Sequence, residues 1–300
     1  MDIVFVILHY TAVEMTLSCV ASIRRYVDTD KYKIIIVDNC SPDDSWRELN
    51  VILGRNADIV LLHSEENVGF ARGNNIGFQY AKENFNPHFL ILTNNDVCLI
   101  QGSIYKTLTQ KYEETDYAVL GPMIITGEGS ICSSPLRKKI LSEQGVRRLI
   151  RRNYRLLRLN RIGLDKHYRR LKSRIHKHIP QFPVEERLVQ HENVGIHGCF
   201  MVFSQNYINR FEGLDSSTFL YMEEDILFLH LMKNNLKSIY CPDLVIYHKE
   251  DASTDSVLKS RRKKNAFVYR NCIDSLKSYL KIITMYEDCL LYTSDAADEL

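Results

Sequence analysis

Three hundred residues, 45% of them hydrophobic and 25% charged, are enough chain for one large domain or two small ones with a real core, and the composition is that of a globular protein. No stretch approaches the roughly 20 apolar residues of a membrane span, and the opening MDIVFVILHY, with an acid at position 2 and an apolar run only from 3 to 8, does not read as a signal peptide. Eight cysteines without a CxxC pair or regular spacing suggest neither a zinc site nor a disulfide framework, and they read as reduced thiols of a cytoplasmic protein.

In chain order, residues 3–8 predict a first buried strand. Thr11 followed by Glu14 predicts a capping box opening a helix whose apolar face is Val13, Leu17, Val20, Ile23 and Val27. Residues 33–37 predict a second strand ending in Asp38 and Asn39. Ser41, Pro42, Asp43 and Asp44 then supply an N-cap, a first-turn proline and first-turn acids for a second helix that Gly54 stops. A third strand at 59–62 is followed by ENVGFARGNN, which leads into a helix reaching about residue 83. The run FLILTNNDV at 89–97 is the segment around which the rest is organised. Its four apolar residues after Pro87 read as a strand buried on both faces, and its carboxyl end carries Asn94, Asn95 and Asp96.

Strands alternating with helices predict right-handed crossovers and a mostly parallel sheet. The polar ends at Tyr10, Asp38, Asn67 and Asp96 should therefore gather along one edge, where such folds place ligand chemistry. Asp96 flanked by amides suits a hard divalent cation held against a phosphate; the same tripeptide also reads as a plain turn. Downstream, 101–114 predicts a helix, and 118–125 a strand that Gly121 and Pro122 assign to an edge or a bend. Residues 195–204 predict a strand, and 221–234 a helix with Glu223, Glu224 and Asp225 in its first turn. Two short strands at 238–241 and 244–247 precede His248, and 260–286 predicts a long terminal helix. The closing LYTSDAADEL has no amphipathic period and is left out of the predicted fold.

Between these halves, residues 137–177 hold sixteen lysines and arginines against Glu143 and Asp165, a segment of +14 that leaves −12 on the rest of a chain of net +2. Leu149, Leu156, Leu157, Leu159, Ile162 and Leu164 interleave with the arginines, which predicts basic amphipathic helix. An anionic membrane surface would attract this segment. A solvated helical hairpin and a nucleic-acid-binding stripe are the rival readings, although only Tyr154 and Tyr168 are present for base stacking.

The ordered set IVFVILHY, IIIVDN, ENVGFARGNNIG, LTNNDV, HGCFMVF, FLYMEEDI, VIYH and VYRN resembles family 2 glycosyltransferases of the GT-A fold. The branch it is similar to is that of bacterial rhamnosyltransferases and polysaccharide-building enzymes of the cell envelope, from about residue 2 to 285 outside the basic segment. The resemblance implies an α/β, Rossmann-like fold, a mixed, mostly parallel sheet flanked by helices with a C-terminal helix, which the basic segment interrupts as a helical insert. It implies a nucleotide-sugar-binding half at 1–128, the insert at 129–190, an acceptor and catalytic half at 191–287, and a tail at 288–300.

The resemblance further implies that Asp38 contacts the nucleotide base, and that Asn67, Gly69 and Arg72 lie along the sugar nucleotide beside Tyr10, Asn94 and Asn95. Asp96 and His248 would hold magnesium or manganese, and Glu224 would be the catalytic base, with Glu223 and Asp225 as rivals. Asn94 stands where the family's DXD motif begins, so Asp96 must supply the charge alone; the family usually has aspartate where Glu224 stands. Against this, the three acids also read as ordinary first-turn acids and His248 as a structural histidine at a strand end. The chemistry asks for the same groups: a base for the acceptor hydroxyl and a cation to neutralise the leaving diphosphate.

The expected activity is inverting transfer of a sugar from a nucleotide-diphosphate donor to a glycan or lipid-linked acceptor, in the cytoplasm or peripherally at the inner face of the membrane, without a nucleic-acid partner. A nucleotide-sugar-binding protein without turnover is the other reading. A dehydrogenase is disfavoured because no GxGxxG follows the first strand.

Overall fold

Runs of Ile, Val, Leu and Phe too short for buried helices become the first strands: β1 (Ile3–His9), β2 (Tyr32–Asp38), β3 (Ile59–His63) and β4 (Phe89–Asn94). The computed structural model describes residues 1–131, 134–175, 182–249 and 260–295. In it these four strands are parallel, in the order β3-β2-β1-β4. Beyond β4 the sheet continues through strands of mixed direction. These are β5 (Val97–Leu99), β6 (Val119–Ile125), β7 (His191–Glu192), β8 (Phe200–Ser204) and β9 (Ser238–His248), giving the order β3-β2-β1-β4-β8-β6-β9-β5 with β7 on β9.

The helices are α1 (Val13–Tyr26), α2 (Ser45–Leu53), α3 (Phe70–Phe85), α4 (Ile104–Thr115), α5 (Glu143–Arg161), α6 (Asp165–Ile175), α7 (Gln205–Ile208), α8 (Glu223–Lys233) and α9 (Arg261–Asp295). Because side chains alternate across a strand, the sheet feeds two cores. Ile3, Phe5, Ile7, Ile34 and Ile36 pack with Val20 and Ile23 of α1, Leu49 of α2 and Leu108 of α4. Val4, Val6, Ile35 and Val37 pack with Phe78 of α3, Tyr207 of α7 and Leu227 of α8 on the opposite face. Each fully buried aliphatic side chain contributes about 1.5–3 kcal/mol, and both faces need it, so the strands carry no polar stripe.

The basic segment folds as α5 and α6. Val146 of α5 is buried against Ile226 and Leu229 of α8 and Leu276, Tyr279 and Ile283 of α9. The hairpin is tied down by polar bonds as well: Asn160 donates to the Arg262 carbonyl at 3.0 Å, and Asp165 accepts from Asn265 at 2.9 Å and Tyr269 at 3.0 Å. Lys177, the last of its basic residues, lies outside the described residues. Cys19, Cys40, Cys98, Cys199, Cys241 and Cys272 are free thiols.

Several local expectations differ from the structure. Thr11 is not a cap: α1 starts at Val13, and Thr11 is left-handed (φ 64°) with its N–H on the Ser41 hydroxyl at 2.9 Å. Ser41 does not cap α2 either, because Asp38 takes its hydroxyl, and α2 begins only at Ser45. Of the two readings of Gly121 and Pro122, the edge fails, because β6 runs between β8 and β9, whereas the bend agrees with a register shift between Pro122 and Met123. The strand predicted at 195–204 is shorter, starting at Phe200, and the two predicted at 238–247 are one strand. α9 continues past residue 286 to Asp295, since no glycine or proline interrupts it; residues 296–300 lie outside the described residues.

Candidate active site

The carboxyl ends of β1 to β4 lie side by side, with His9 in register with Asp38, Asp38 with His63, and Leu8 with Asn94. Asp38 is fully buried. Its Oδ1 accepts from the Ser41 hydroxyl, and its Oδ2 accepts from the Ser41 N–H at 3.3 Å and faces His63 Nδ1 at 2.8 Å. The His63 ring stacks on Trp46 with centroids 4.9 Å apart. On the other side His9 Nε2 lies 3.9 Å from Asp38, and burial lowers the His9 pKa against the pull of that carboxylate. His9 Nδ1 meets the Thr16 hydroxyl at 2.7 Å, and the Asn95 amide donates to the same hydroxyl at 3.2 Å. Asn95 is thus buried and turned inward, whereas Asn94 is half-buried with its backbone N–H on the Cys199 carbonyl at 2.9 Å. Tyr10 follows directly after β1, its carbonyl accepting from the Ala12 N–H.

Asn39 fastens the next loop. Its amide oxygen accepts from the Val68 N–H at 3.0 Å, and its amide nitrogen donates to Asn67 and to the Gly69 carbonyl, each at 3.2 Å. Gly69 has φ +84°, and a Cβ there would lie 2.2 Å from the Phe219 carbonyl oxygen, so only glycine lets this turn meet residue 219. Phe70 donates its N–H to that carbonyl at 2.8 Å, and Arg72 donates to the Ser216 carbonyl at 3.0 Å. A cavity of about 240 Å³ opens beside this junction, lined by Val68, Arg72, Thr218, Phe219, Asn271 and Ser275 among others.

Residues 214–222 deliver the acids. Tyr221 and Met222 are both left-handed, at φ 75° and 72°, and each such non-glycine residue costs about 1–2 kcal/mol. This strained step aims the first turn of α8. Glu223 is buried and accepts from the Thr218 hydroxyl at 3.0 Å; burial, then the neighbouring Glu224, push its pKa up to about 7. Glu224 accepts from the Gly198 N–H at 3.3 Å, and a Cβ on Gly198 would fall 2.5 Å from its Oε1. Burial raises the Glu224 pKa, opposed by the Gly198 N–H and by Arg137. Asp225 is paired with Arg137, which donates from Nε to Oδ1 and from Nη2 to Oδ2 at 3.5 Å; burial still holds Asp225 at about 6. Among the described residues, Glu223 and Asp225 are held by side chains, whereas Glu224 is met by a backbone N–H.

Asp96 and His248 face each other across the end of the β5–β9 pairing. His248 Nε2 lies 3.2 Å from Asp96 Oδ1, yet the pair is not aligned as a hydrogen bond, and Asp96 Oδ1 and His248 Nδ1 are both buried without a hydrogen-bond partner. The orphaned Asp96 Oδ1 and the His248 Nε2 that faces it fit a cation, with Nδ1 on the other side of the ring. An octahedral ion with ligands at about 2.1 Å has neighbouring ligand atoms about 3 Å apart, close to the separation present. Among the described residues no group of three or more His, Cys, Asp or Glu is placed to hold a metal, so these two would leave the remaining positions to water and to phosphate oxygens. His197 lies alongside, its ring centroid 6.0 Å from that of His248.

An unbroken series of contacts therefore runs from Asp38 through Asn39, Asn67 and Gly69 to Phe219, on through Thr218 and Glu223 to Glu224, and by way of Gly198 and His197 to His248 and Asp96. The sequence profile of glycosyl transferase family 2 matches residues 4–211. The chain belongs to glycosyl transferase family 2. This family 2 chain is 22% identical over 221 residues to the low-salt glycan biosynthesis hexosyltransferase Agl10 of Haloferax volcanii, covering 73% of its own length and 59% of that protein. Among solved structures it is similar to S. aureus TarS 1–349 in complex with UDP-GlcNAc, with a TM-score of 0.53 and 12% identity over 87% of this chain and 62% of that one. TarS 1–349 alone gives a TM-score of 0.51 and 11% identity, over 83% and 60%. The family 2 chain thus spans about six tenths of the length of these relatives, and the likeness to TarS is one of fold.

His63, Asn39 and Arg137 were not among the residues singled out from sequence. His63 was accessible from strand pairing, since parallel β2 and β3 end together and make it the neighbour of Asp38. In the sequence Arg137 reads as part of the basic insert, and its contact with Asp225 appears only when residues 136–137 pair with Gly195.

Proposed function

We propose that this chain transfers a sugar from a nucleoside-diphosphate donor to a hydroxyl of a glycan or lipid-linked acceptor, with inversion at the sugar carbon. The observation that carries the reading is the continuous edge joining buried Asp38, the loop at 67–72, the Asp96–His248 pair and the acids of α8. Asn67, Gly69 and Arg72 line the donor, with Tyr10 and Asn94 at its flank and Asn95 supporting the floor from within.

Glu224 is the base. It takes the acceptor hydroxyl proton as the new oxygen–carbon bond forms, the bond from that carbon to the diphosphate breaks, and the diphosphate leaves with the bonding electrons. Glu223 and Asp225 hold the turn through Thr218 and Arg137. Asp96 and His248 would hold magnesium or manganese, which supplies positive charge to the departing diphosphate.

The hairpin of α5 and α6 is read as the contact with an anionic membrane surface, at the inner face of the cell membrane. Its turn exposes Ile162 (67%) and Leu164, and α6 exposes Leu171 (59%), all among arginines and lysines. Apolar tips within a basic face suit an interface of lipid headgroups. Among the described residues no helix is long and apolar enough to cross a membrane.

The test is a screen of nucleotide sugars for hydrolysis and thermal shift, with and without manganese. UDP sugars come first, because the TarS structures include complexes with UDP-GlcNAc and UDP. Manganese-dependent hydrolysis of at least one sugar nucleotide is expected. Binding of a donor with no turnover under any acceptor would favour a binding protein, and no response to any donor would overturn the reading.

A further inference from the structure

We propose that Lys263 and Arg270 of α9 bind a lipid-borne phosphate of the acceptor, an inference that rests on the donor-loop and membrane readings above. Lys263, Ala266, Phe267, Arg270 and Asn271 line a cavity of about 480 Å³. Their spacing of i, i+3, i+4, i+7 and i+8 puts them on one face of the helix. Lys263 and Arg270 are exposed, and Phe267 lies half-buried between them. The two cations stand two turns apart, roughly 10 Å along the axis, within reach of one anion from either end. Asp274, the first acid of α9, lies 3.7 Å from Lys277, and among the described residues no carboxylate pairs with Lys263 or Arg270. A hollow edged by two cations without a counter-charge suits a phosphate, which takes forked N–H donors from arginine and a point charge from lysine.

The stripe has two different ends. Toward the C-terminus Asn271 also lines the cavity that holds Val68 and Arg72, and Ser275 and Ser278 continue the face there. Toward the N-terminus the adjoining face of α9 is bonded to the hairpin, Arg262 to Asn160, and Asn265 and Tyr269 to Asp165. Asn160 and Asp165 flank the turn whose Ile162 and Leu164 are exposed. The cation pair therefore stands between the apolar tips and the loop assigned to the donor.

A lipid-linked saccharide carries its parts in that order, lipid, then phosphate, then sugar. Its lipid would enter at Ile162 and Leu164, and its phosphate would meet Lys263 and Arg270 with Phe267 against the adjoining carbons. Its saccharide would then lead past Asn271 toward Arg72. A neutral glycan gives the cations nothing to bind, and a free phosphate has no use for the tips.

Titration of the full chain with farnesyl phosphate, a short soluble lipid phosphate, tests this with and without saturating UDP and manganese. Binding should persist when UDP is bound. Arg270→Gln and Lys263→Gln should each weaken it at least about tenfold, the loss of one hydrogen bond to a charged group, with melting temperatures retained because both side chains are exposed. Lys281→Gln, which removes an exposed charge farther along the same helix, should leave it within about twofold. Displacement of farnesyl phosphate by UDP would put the phosphate in the donor site and overturn the inference. Equal weakening by Lys281→Gln would do so too, since diffuse attraction then suffices. Inorganic phosphate binding as tightly as farnesyl phosphate would overturn the lipid assignment, and farnesol binding as tightly would overturn the phosphate. UDP failing to bind would bring down the donor-site reading, and the comparison of Arg270→Gln with Lys281→Gln would still decide the phosphate assignment.

Discussion

Asn75 grips Leu214 with both ends of its carboxamide: Nδ2 donates to the Leu214 carbonyl and Oδ1 accepts from the Leu214 N–H, each at 2.7 Å. Both residues are buried, and the pair joins the helix that follows the Gly69 turn to the loop that leads into the α8 acids. Donor side and base side are therefore one mechanical unit. Asn75→Ala leaves two backbone groups unpaired and should destabilise the fold by about 2 kcal/mol, read by denaturant titration. Gly69→Ala, with its Cβ driven against Phe219, should weaken donor binding as well; an unchanged donor KM would separate that turn from the site.

The three acids predict three different phenotypes. Glu224→Gln should lower kcat by roughly 10²–10⁴-fold with donor affinity intact. Asp225→Asn weakens the Arg137 pair and should appear first as a loss of about 2 kcal/mol of stability. Steady-state kinetics and melting of the two variants decide the matter. Rate loss from Asp225→Asn, with none from Glu224→Gln, moves the base one residue along.

Chelation with EDTA should abolish transfer, and manganese should restore it. Asp96→Ala removes a carboxylate oxygen that has no hydrogen-bond partner in the fold, so melting should hardly move while metal-dependent turnover falls at least about 100-fold. Unimpaired turnover by this variant would sink the cation assignment.

Stability should fall as pH rises from about 4.5 to about 7. Glu223 is raised from 4.5 to about 7 in the folded chain, so over that interval the folded state holds a proton that the unfolded state has lost. Its stabilisation is complete below the unfolded value and gone above the folded one, a span of about 3 kcal/mol. Asp215 acts in the opposite sense. His230 and Ser217 hold it at about 2, so its contribution is present above 3.8 and lost as pH falls toward 2. Melting curves across this range should peak between these limits, and Glu223→Gln should flatten the neutral limb.

Vesicles containing anionic lipid should retain the protein, and vesicles of zwitterionic lipid should not. Each basic residue near such a surface adds about 1 kcal/mol, so raising the salt should release it. Ile162→Asp with Leu164→Asp should cut retention by removing the apolar tip. Preferential retention on RNA would defeat the membrane reading.

By itself the sequence determined the alternation of strand and helix in the first half of the chain, because a buried parallel strand must be apolar on both faces and its ending must be polar. It also marked Asp96, His248 and the acid triplet, which taken one at a time read equally as a turn, a structural histidine and first-turn acids and point to a site only as an ordered set. Only the tertiary structure decided what each of them touches. Asp38 lost its surface to Ser41 and His63, Asp225 was taken by an arginine counted with the insert, and Pro122 proved interior because the sheet could shift register there. Hydrogen-bond partners in this site lie well over 100 residues apart, 144 between Arg72 and Ser216, and no local pattern encodes which of several nearby polar groups will satisfy a buried one.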